Sequence, residues 1–268
     1  MERRWWRLVA TALSFVVFGA AAMILTLTAG AGLALFVRPR ERRRRLARAC
    51  IRSMFNAFLA LIQFLRVLRL DIDTETRAAL LAERGSIVVA NHPSFIDVLV
   101  LLAHIADGNC VVKDAIWRNP FLSSGVRLAG YIPNRDPETL LSACETALRR
   151  NETLIIFPEA SRTRVGEPIR LQRGAAHIAL RSKATIRLVH FKCEPPLLTK
   201  GVPWYRTPDR QPCLVMRVGG TVHARDFLRP GESRNAAARR LTFLLQQELS
   251  RGISFDERSG ARAQTVVD

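Results

Sequence analysis

From Leu8 to Val37 the chain carries 30 residues without a charge, and only Thr11, Ser14, Thr26 and Thr28 among them are polar. As a single helix this run is about 45 Å long, against about 30 Å of bilayer hydrocarbon. It predicts a tilted membrane span or, if the helix breaks at "AGAG" (Ala29 to Gly32), a helix followed by a re-entrant piece. A cleaved leader fits less well, because the apolar core is too long and the arginine block behind it is wrong for a cleavage site. A second helix is expected over Cys50 to Leu68. Its uncharged centre, Ser53 to Leu65, is too short to span. It is therefore expected to lie in the membrane interface or to pack under the following domain.

Beyond Leu70 short apolar runs alternate with stretches of helical spacing. "SIVVA" (Ser86 to Ala90), "CVV" (Cys110 to Val112), "TLIIF" (Thr153 to Phe157), "IRLVHF" (Ile186 to Phe191) and "LVMRV" (Leu214 to Val218) read as strands. "SFIDVLVLLAHI", "PETLLSACETALRR" and "LQRGAAHIALRS" read as helices between them. Glu232 to Ser250 adds another, with Leu241, Leu244, Leu245 and Leu249 on one face. This alternation predicts an α/β fold, a single domain whose mostly parallel or mixed sheet is covered by helices. The expected organisation is an anchor and basic helix over residues 1–70, a domain over 71–250, and a loose tail over 251–268.

Charge sharpens the membrane reading. The net charge is +18, and residues 1–70 hold 13 Arg against Glu2 and Glu41. A basic excess around the most apolar part of the chain points to anionic membrane lipids rather than nucleic acid. Arg3, Arg4 and Arg7 precede the apolar run; Arg38, Arg40, Arg42, Arg43, Arg44, Arg45 and Arg48 follow it. The heavier trailing flank keeps the domain cytoplasmic if the run spans once, and a re-entrant run gives the same result. The arginine bias, with only four lysines, points to a GC-rich bacterium, and the expected setting is the cytoplasmic face of a bacterial inner membrane. Five widely spaced cysteines without a CxxC pair read as reduced thiols, and no metal site is expected.

Two strand ends carry the candidate chemistry, where α/β proteins place their sites. "SIVVA" runs into "NHPSFID" (Asn91 to Asp97), and "TLIIF" runs into "PEASRTR" (Pro158 to Arg164). In the first, Ser94 with Asp97 three residues on resembles a capping box. The same spacing lets His92 fold over the helix start and give its ring N–H to Asp97, freeing the other nitrogen as a base. In the second, Glu159, Arg162 and Arg164 offer a carboxylate and forked cations suited to an anionic headgroup. His104, His177, His190 and His223 lack such context and read as structural.

"NHPSFID" resembles the Asn-His-x-x-x-x-Asp motif of the glycerolipid acyltransferases, the group that contains the lysophosphatidate acyltransferases. "FPEASRT" (Phe157 to Thr163) resembles their Phe-Pro-Glu-Gly-Thr-Arg-Ser motif, and Val112 to Asp136 resembles the segment between, with its Pro-Phe pair and Gly-x-Ile turn. The resemblance covers about residues 85–190. It implies His92 as the general base and Asp97 as the carboxylate that holds its tautomer. It implies substrate binding by Glu159, Ser161, Arg162, Arg135 and Asn91. It further implies an acyl-ACP or acyl-CoA donor, a lysolipid acceptor and no cofactor. The first-choice acceptor is 1-acyl-sn-glycerol-3-phosphate, giving phosphatidate; another lysolipid, or a specialised lipid of the ornithine-lipid or pigment-lipid type, is the alternative. A non-catalytic lipid-binding protein on the same fold is the reading from another class. Four positions depart from the family pattern: Ala160 replaces a glycine, Ser161 replaces a threonine, Arg135 lies one residue early, and Arg187 stands where a proline is expected.

Overall fold

The structure, a computed structural model, describes residues 2–119, 123–164 and 166–254. The apolar N-terminal run forms helix α1 (Glu2–Leu25), a π-helical turn (Thr26–Gly30) and helix α2 (Ala31–Phe36). The glycine pair therefore loosens the winding and does not break it. The chain reverses later, at Val37 to Pro39, where Val37 is extended. Arg38 precedes Pro39, and a residue before proline is disfavoured in the helix, which places the reversal there. Helix α3 (Arg40–Phe64) then runs back along α1. The break considered at Ala29 to Gly32 is therefore absent; a hairpin forms instead between this continuous helical run and α3, with its bend at Val37 to Pro39.

Of the two placements open to the second helix, the structure takes packing on the domain. Ala47, Phe58, Leu59 and Ile62 of α3 are buried in one cluster with residues of the sheet. Arg52 and Asn56 donate to the carbonyl of Ala103, each at 3.0 Å, satisfying an acceptor in the last turn of a neighbouring helix. α1 buries Arg7, Ala10, Thr11 and Ser14 on its inner face, while Trp5, Val9, Leu13, Val16 and Ile24, with Leu27 of the π-helical turn, stay exposed along the outer one. From Arg4 to Phe36 it is long and apolar enough to cross a membrane by length and composition, with a mean hydropathy of 2.4 in its most apolar window.

The domain follows as β1 (Arg69–Ile72), α4 (Thr74–Ala82), β2 (Ile87–Ala90), α5 (Asp97–His104), β3 (Gly108–Lys113), α6 (Asp114–Arg118) and α7 (Ser123–Ala129). After these come β4 (Ile132–Asn134), α8 (Pro137–Arg149), β5 (Thr153–Ile156), α9 (Gly174–Ser182), β6 (Thr185–Glu194), β7 (Cys213–His223) and α10 (Arg234–Ser254). All five expected strands are present. β1 (RLDI) and β4 (IPN), at the two edges, lack the continuous apolar run of the central strands. The sheet order is β1-β7-β6-β2-β5-β3-β4. β2 to β6 are mutually parallel, while β7 pairs antiparallel with β6 and parallel with β1, so the sheet is mixed. Alternate residues of the fully buried central strands serve opposite layers, as the pleat requires. Val88 and Ala90 face the α3–α5–α7 side, and Ile87 and Val89 face α8, α9 and α10. α10 continues to Ser254, so the start of the expected tail is helical; residues 255–268 lie outside the described residues, as do Pro120 and Phe121 of the intervening segment.

Candidate active site

β2 and β5 are hydrogen-bonded neighbours at the centre of the sheet, so their carboxyl ends deliver the two loaded segments to one place. Asp97 opens α5 with its side chain fully buried. Its Oδ2 accepts the Ser94 N–H at 2.7 Å and lies 3.0 Å from Nδ1 of His92. Half of the capping box is therefore realised, the carboxylate reaching back over the turn. The Ser94 hydroxyl instead donates to the Leu197 carbonyl at 2.8 Å. A carboxylate only accepts, so the proton of this pair sits on Nδ1 and Nε2 is left with its lone pair. The His92 ring is tilted against Phe157 at 4.4 Å between centroids, and its side chain keeps 15% exposure. Oδ1 of Asp97 has no hydrogen-bond partner among the described residues. Burial, the strongest influence on Asp97, pushes its pKa up to about 6, while the His92 and Ser94 bonds pull it down.

The second segment is tied to the first. Glu159 accepts the His92 backbone N–H at 2.8 Å through one oxygen and the Thr163 hydroxyl through the other. Thr163 N–H donates to the His92 carbonyl at 3.3 Å. Glu159 is 8% exposed and positions the two loops against each other. The turn requires a left-handed residue at Ala160, with φ of 59°. Here a glycine would carry no penalty, while an L-residue stores about 1–2 kcal/mol; the family's glycine has an evident reason, and this chain holds the same turn without it.

The loop after β6 closes a third side, which sequence reading did not single out. Arg162 donates to the Leu198 carbonyl at 2.5 Å, and Phe95 N–H reaches the same oxygen at 3.3 Å. Lys200 Nζ lies 2.9 Å from the Ser161 hydroxyl. His92, Ser161, Arg162 and Lys200 are therefore grouped by one set of loops. Lys200 had no motif around it in the sequence; only the fold brings it to Ser161. Asn91 is also adjacent, but its amide exchanges two 2.7 Å bonds with the main chain of Phe191, pinning the end of β2 to β6.

Arg135 is not brought into this group. It follows β4, three strands from β2, which is about 14 Å at usual strand spacing. Its guanidinium pairs with Asp114 and lies 5.9 Å from the Trp117 ring centroid. Arg164 is exposed and faces Glu167 at 3.7 Å. Arg187 pairs with Glu83 at 3.0 Å, in the amino-terminal half of β6, remote from the loops at its far end. Two cavities lie elsewhere, one of about 730 Å³ lined mainly by α8 and the β4 edge and an apolar one of about 510 Å³ between the N-terminal helices, α3 and α7; neither is lined by His92 or Asp97.

Fold and site together define an α/β protein with a hydrogen-bonded His92–Asp97 pair at the central strand end and an apolar helical hairpin docked on the domain. Residues 71–191 match the family model described as Acyltransferase. The 1-acyl-sn-glycerol-3-phosphate acyltransferase of Cocos nucifera is 28% identical over 108 residues, 38% of this chain and 35% of that protein. The Helicobacter pylori protein of the same description is 30% identical over 102 residues, 35% of this chain and 43% of that one. The human 1-acyl-sn-glycerol-3-phosphate acyltransferase alpha is 27% identical over 164 residues, 49% and 55% respectively. The chain thus matches between about a third and about half of the length of these curated relatives. The crystal structure of the 1-acyl-sn-glycerophosphate (LPA) acyltransferase PlsC from Thermotoga maritima shares the fold, with a TM-score of 0.71 at 19% identity over 94% of this chain and 97% of that one. Over residues 71–191 the chain is similar to the acyltransferases.

Proposed function

We propose that the protein transfers an acyl chain from a thioester, acyl-ACP or acyl-CoA, to the hydroxyl of a lysolipid at a membrane surface. The observation that carries this reading is the 3.0 Å contact of His92 Nδ1 with buried Asp97, which leaves Nε2 as the free base. In this mechanism Nε2 takes the proton of the acceptor hydroxyl as its oxygen attacks the thioester carbonyl. The tetrahedral intermediate collapses, the C–S bond breaks, and the leaving thiolate takes the proton back from Nε2. Asp97 stabilises the imidazolium between the two steps. Direct transfer of this kind calls for neither an acyl-enzyme nor a cofactor.

The acceptor's charged end falls to Arg162, Lys200 and the Ser161 hydroxyl, three groups with the chemistry of a phosphate contact. That grouping, with the printed activity of the relatives, favours 1-acyl-sn-glycerol-3-phosphate as acceptor and phosphatidate as product. Arg135, held by Asp114, is left out of this role, and Asn91 and Glu159 act as positioning residues. The setting we propose is the cytoplasmic face of a bacterial inner membrane, resting on the arginine-rich flanks and the exposed apolar face of α1.

The test is His92→Ala in purified protein, assayed with acyl-ACP and acyl-CoA against lysophosphatidate and other lysolipids. Turnover should fall by about 10²–10⁴-fold, the usual contribution of a positioned base. Undiminished turnover would remove His92 from the chemistry. A wild type silent toward every lysolipid would leave the lipid-binding reading in its place.

A further inference from the structure

The loop that continues from Lys200 carries features the acyl-transfer site does not use. Val202, Trp204 and Tyr205 are exposed, with Trp204 at 45% and Tyr205 at 56%. The two rings stand edge to face at 5.9 Å, and Phe15 of α1 meets Trp204 edge-on at 6.1 Å. The loop is held in this pose from beneath: Arg7 of α1 donates to the carbonyls of Pro208 and Asp209. Arg206 and Arg210 of the same loop are exposed, without a side-chain hydrogen bond or ion pair among the described residues. Asp209, the single acid in residues 202–210, faces Arg4 at 3.7 Å.

Aromatic rings with a polar edge settle at the headgroup level of a bilayer. An arginine near an anionic leaflet adds about fivefold to partition. The apolar stripe of α1 continues this surface directly, since Phe15 lies between the stripe and Trp204. Trp5 and Trp6 sit at its upper end, and Trp6 is tied to the Leu65 carbonyl at 2.9 Å. Charge and continuity therefore favour one occupant, an anionic lipid surface.

We propose that residues 202–210 form a second membrane contact, in which Trp204 and Tyr205 enter the headgroup layer of an anionic leaflet and Arg206 and Arg210 meet lipid phosphates. The loop is continuous with Lys200 and Leu198, so this contact turns the mouth of the His92 site toward the bilayer. The proposal rests on the membrane-surface reading above, and its readout is independent of turnover.

Full-length protein with Trp5, Trp6 and Trp117 replaced by phenylalanine keeps Trp204 as its sole indole. It is bound to vesicles of three parts phosphatidylcholine to one part phosphatidylglycerol, brominated near the headgroup end of the acyl chains. Trp204 emission should fall about twofold or more if the ring lies at the headgroup–acyl boundary. Arg206→Gln with Arg210→Gln should lessen that quenching, and so should vesicles of phosphatidylcholine alone. Should the triple replacement fail to fold, the difference in quenchable emission between wild type and Trp204→Phe reads the same quantity. Unquenched Trp204 in protein that floats with the vesicles overturns the proposal; it is also the result expected if the loop docks an acidic protein. Equal quenching with and without phosphatidylglycerol overturns the anionic preference. Absence of acyltransferase activity in wild-type protein whose Trp204 is quenched would count against the proposed function and leave the contact standing.

Discussion

Asp97 is fully buried beside His92, and that burial, with a smaller push from Glu159, raises its pKa to about 6 against the pull of His92 and the Ser94 N–H. Above pH 6 it is a carboxylate and holds the His92 proton on Nδ1; below, it loses its charge and the tautomer is no longer enforced. Its effect on stability follows from the folded value lying above the unfolded value of 3.8. Between those two values the folded state keeps a proton that the unfolded chain releases. This group's stabilising contribution is thus present in acid and declines as pH rises toward 6. Asp97→Asn should flatten that slope, gaining on the wild type as pH rises from 4 to 6 in melting experiments. The same change should cost about 10⁴-fold in turnover, by presenting a donor where the ring needs an acceptor. An unchanged slope would show that burial does not govern this carboxylate.

The hairpin is joined to the domain by elements whose charges the linear pattern assigns to a flank. Arg48, part of the arginine block, is 3% exposed. It meets Asp107 at 2.9 Å and Glu152 at 2.8 Å, and Asn109 completes the cluster through Glu152 at 2.8 Å. Burial would raise the pKa of Glu152, but the Arg48 and Asn109 bonds outweigh it and hold the group below the ordinary carboxylate value. Arg48→Ala leaves a buried carboxylate without its cation and should cost about 3–5 kcal/mol. Arg48→Ala with Glu152→Gln should recover much of it, both measured by chemical denaturation. Additive losses would mean that the pair does not act as a unit. Arg48 also marks the limit of reading elements from sequence. The central strands and α5, α8, α9 and α10 were legible because each buries a regular stripe. His92 and Asp97 were legible because their contact is local. Lys200, the Arg48 cluster and the Arg135–Asp114 pair were not, because each depends on which loops the sheet order brings together. Arg187, which stands where the family pattern has a proline, pairs with Glu83 away from the site.

At the scale of the whole molecule, α1 and α2 with the π turn between them make a rod of about 50 Å, and one domain touches it at both ends. Arg7 bonds to the 208–209 segment near the start. Far along the rod, Gly30 lies against Leu128 of α7. A rod that crossed a bilayer would place Arg7 and Gly30 on opposite sides, where a single folded domain reaches only one of them. The docked geometry therefore favours a hairpin lying in one leaflet, with its outer stripe from Trp5 to Leu27 in lipid and the inner one on the domain. The reversed bend at Pro39, with α3 returning beside α1, serves the same arrangement. In a variant with Cys50 and Cys213 replaced by serine, single cysteines at Arg4 and at Arg42 should both react with a membrane-impermeant maleimide from the cytoplasmic side. Reaction of Arg4→Cys only from the opposite side would establish a span and require the contacts of Arg7 with the 208–209 segment to break in the membrane. With both ends on one side, the His92 site stays at the height of the lipid headgroups, where the proposed lysolipid acceptor presents its hydroxyl.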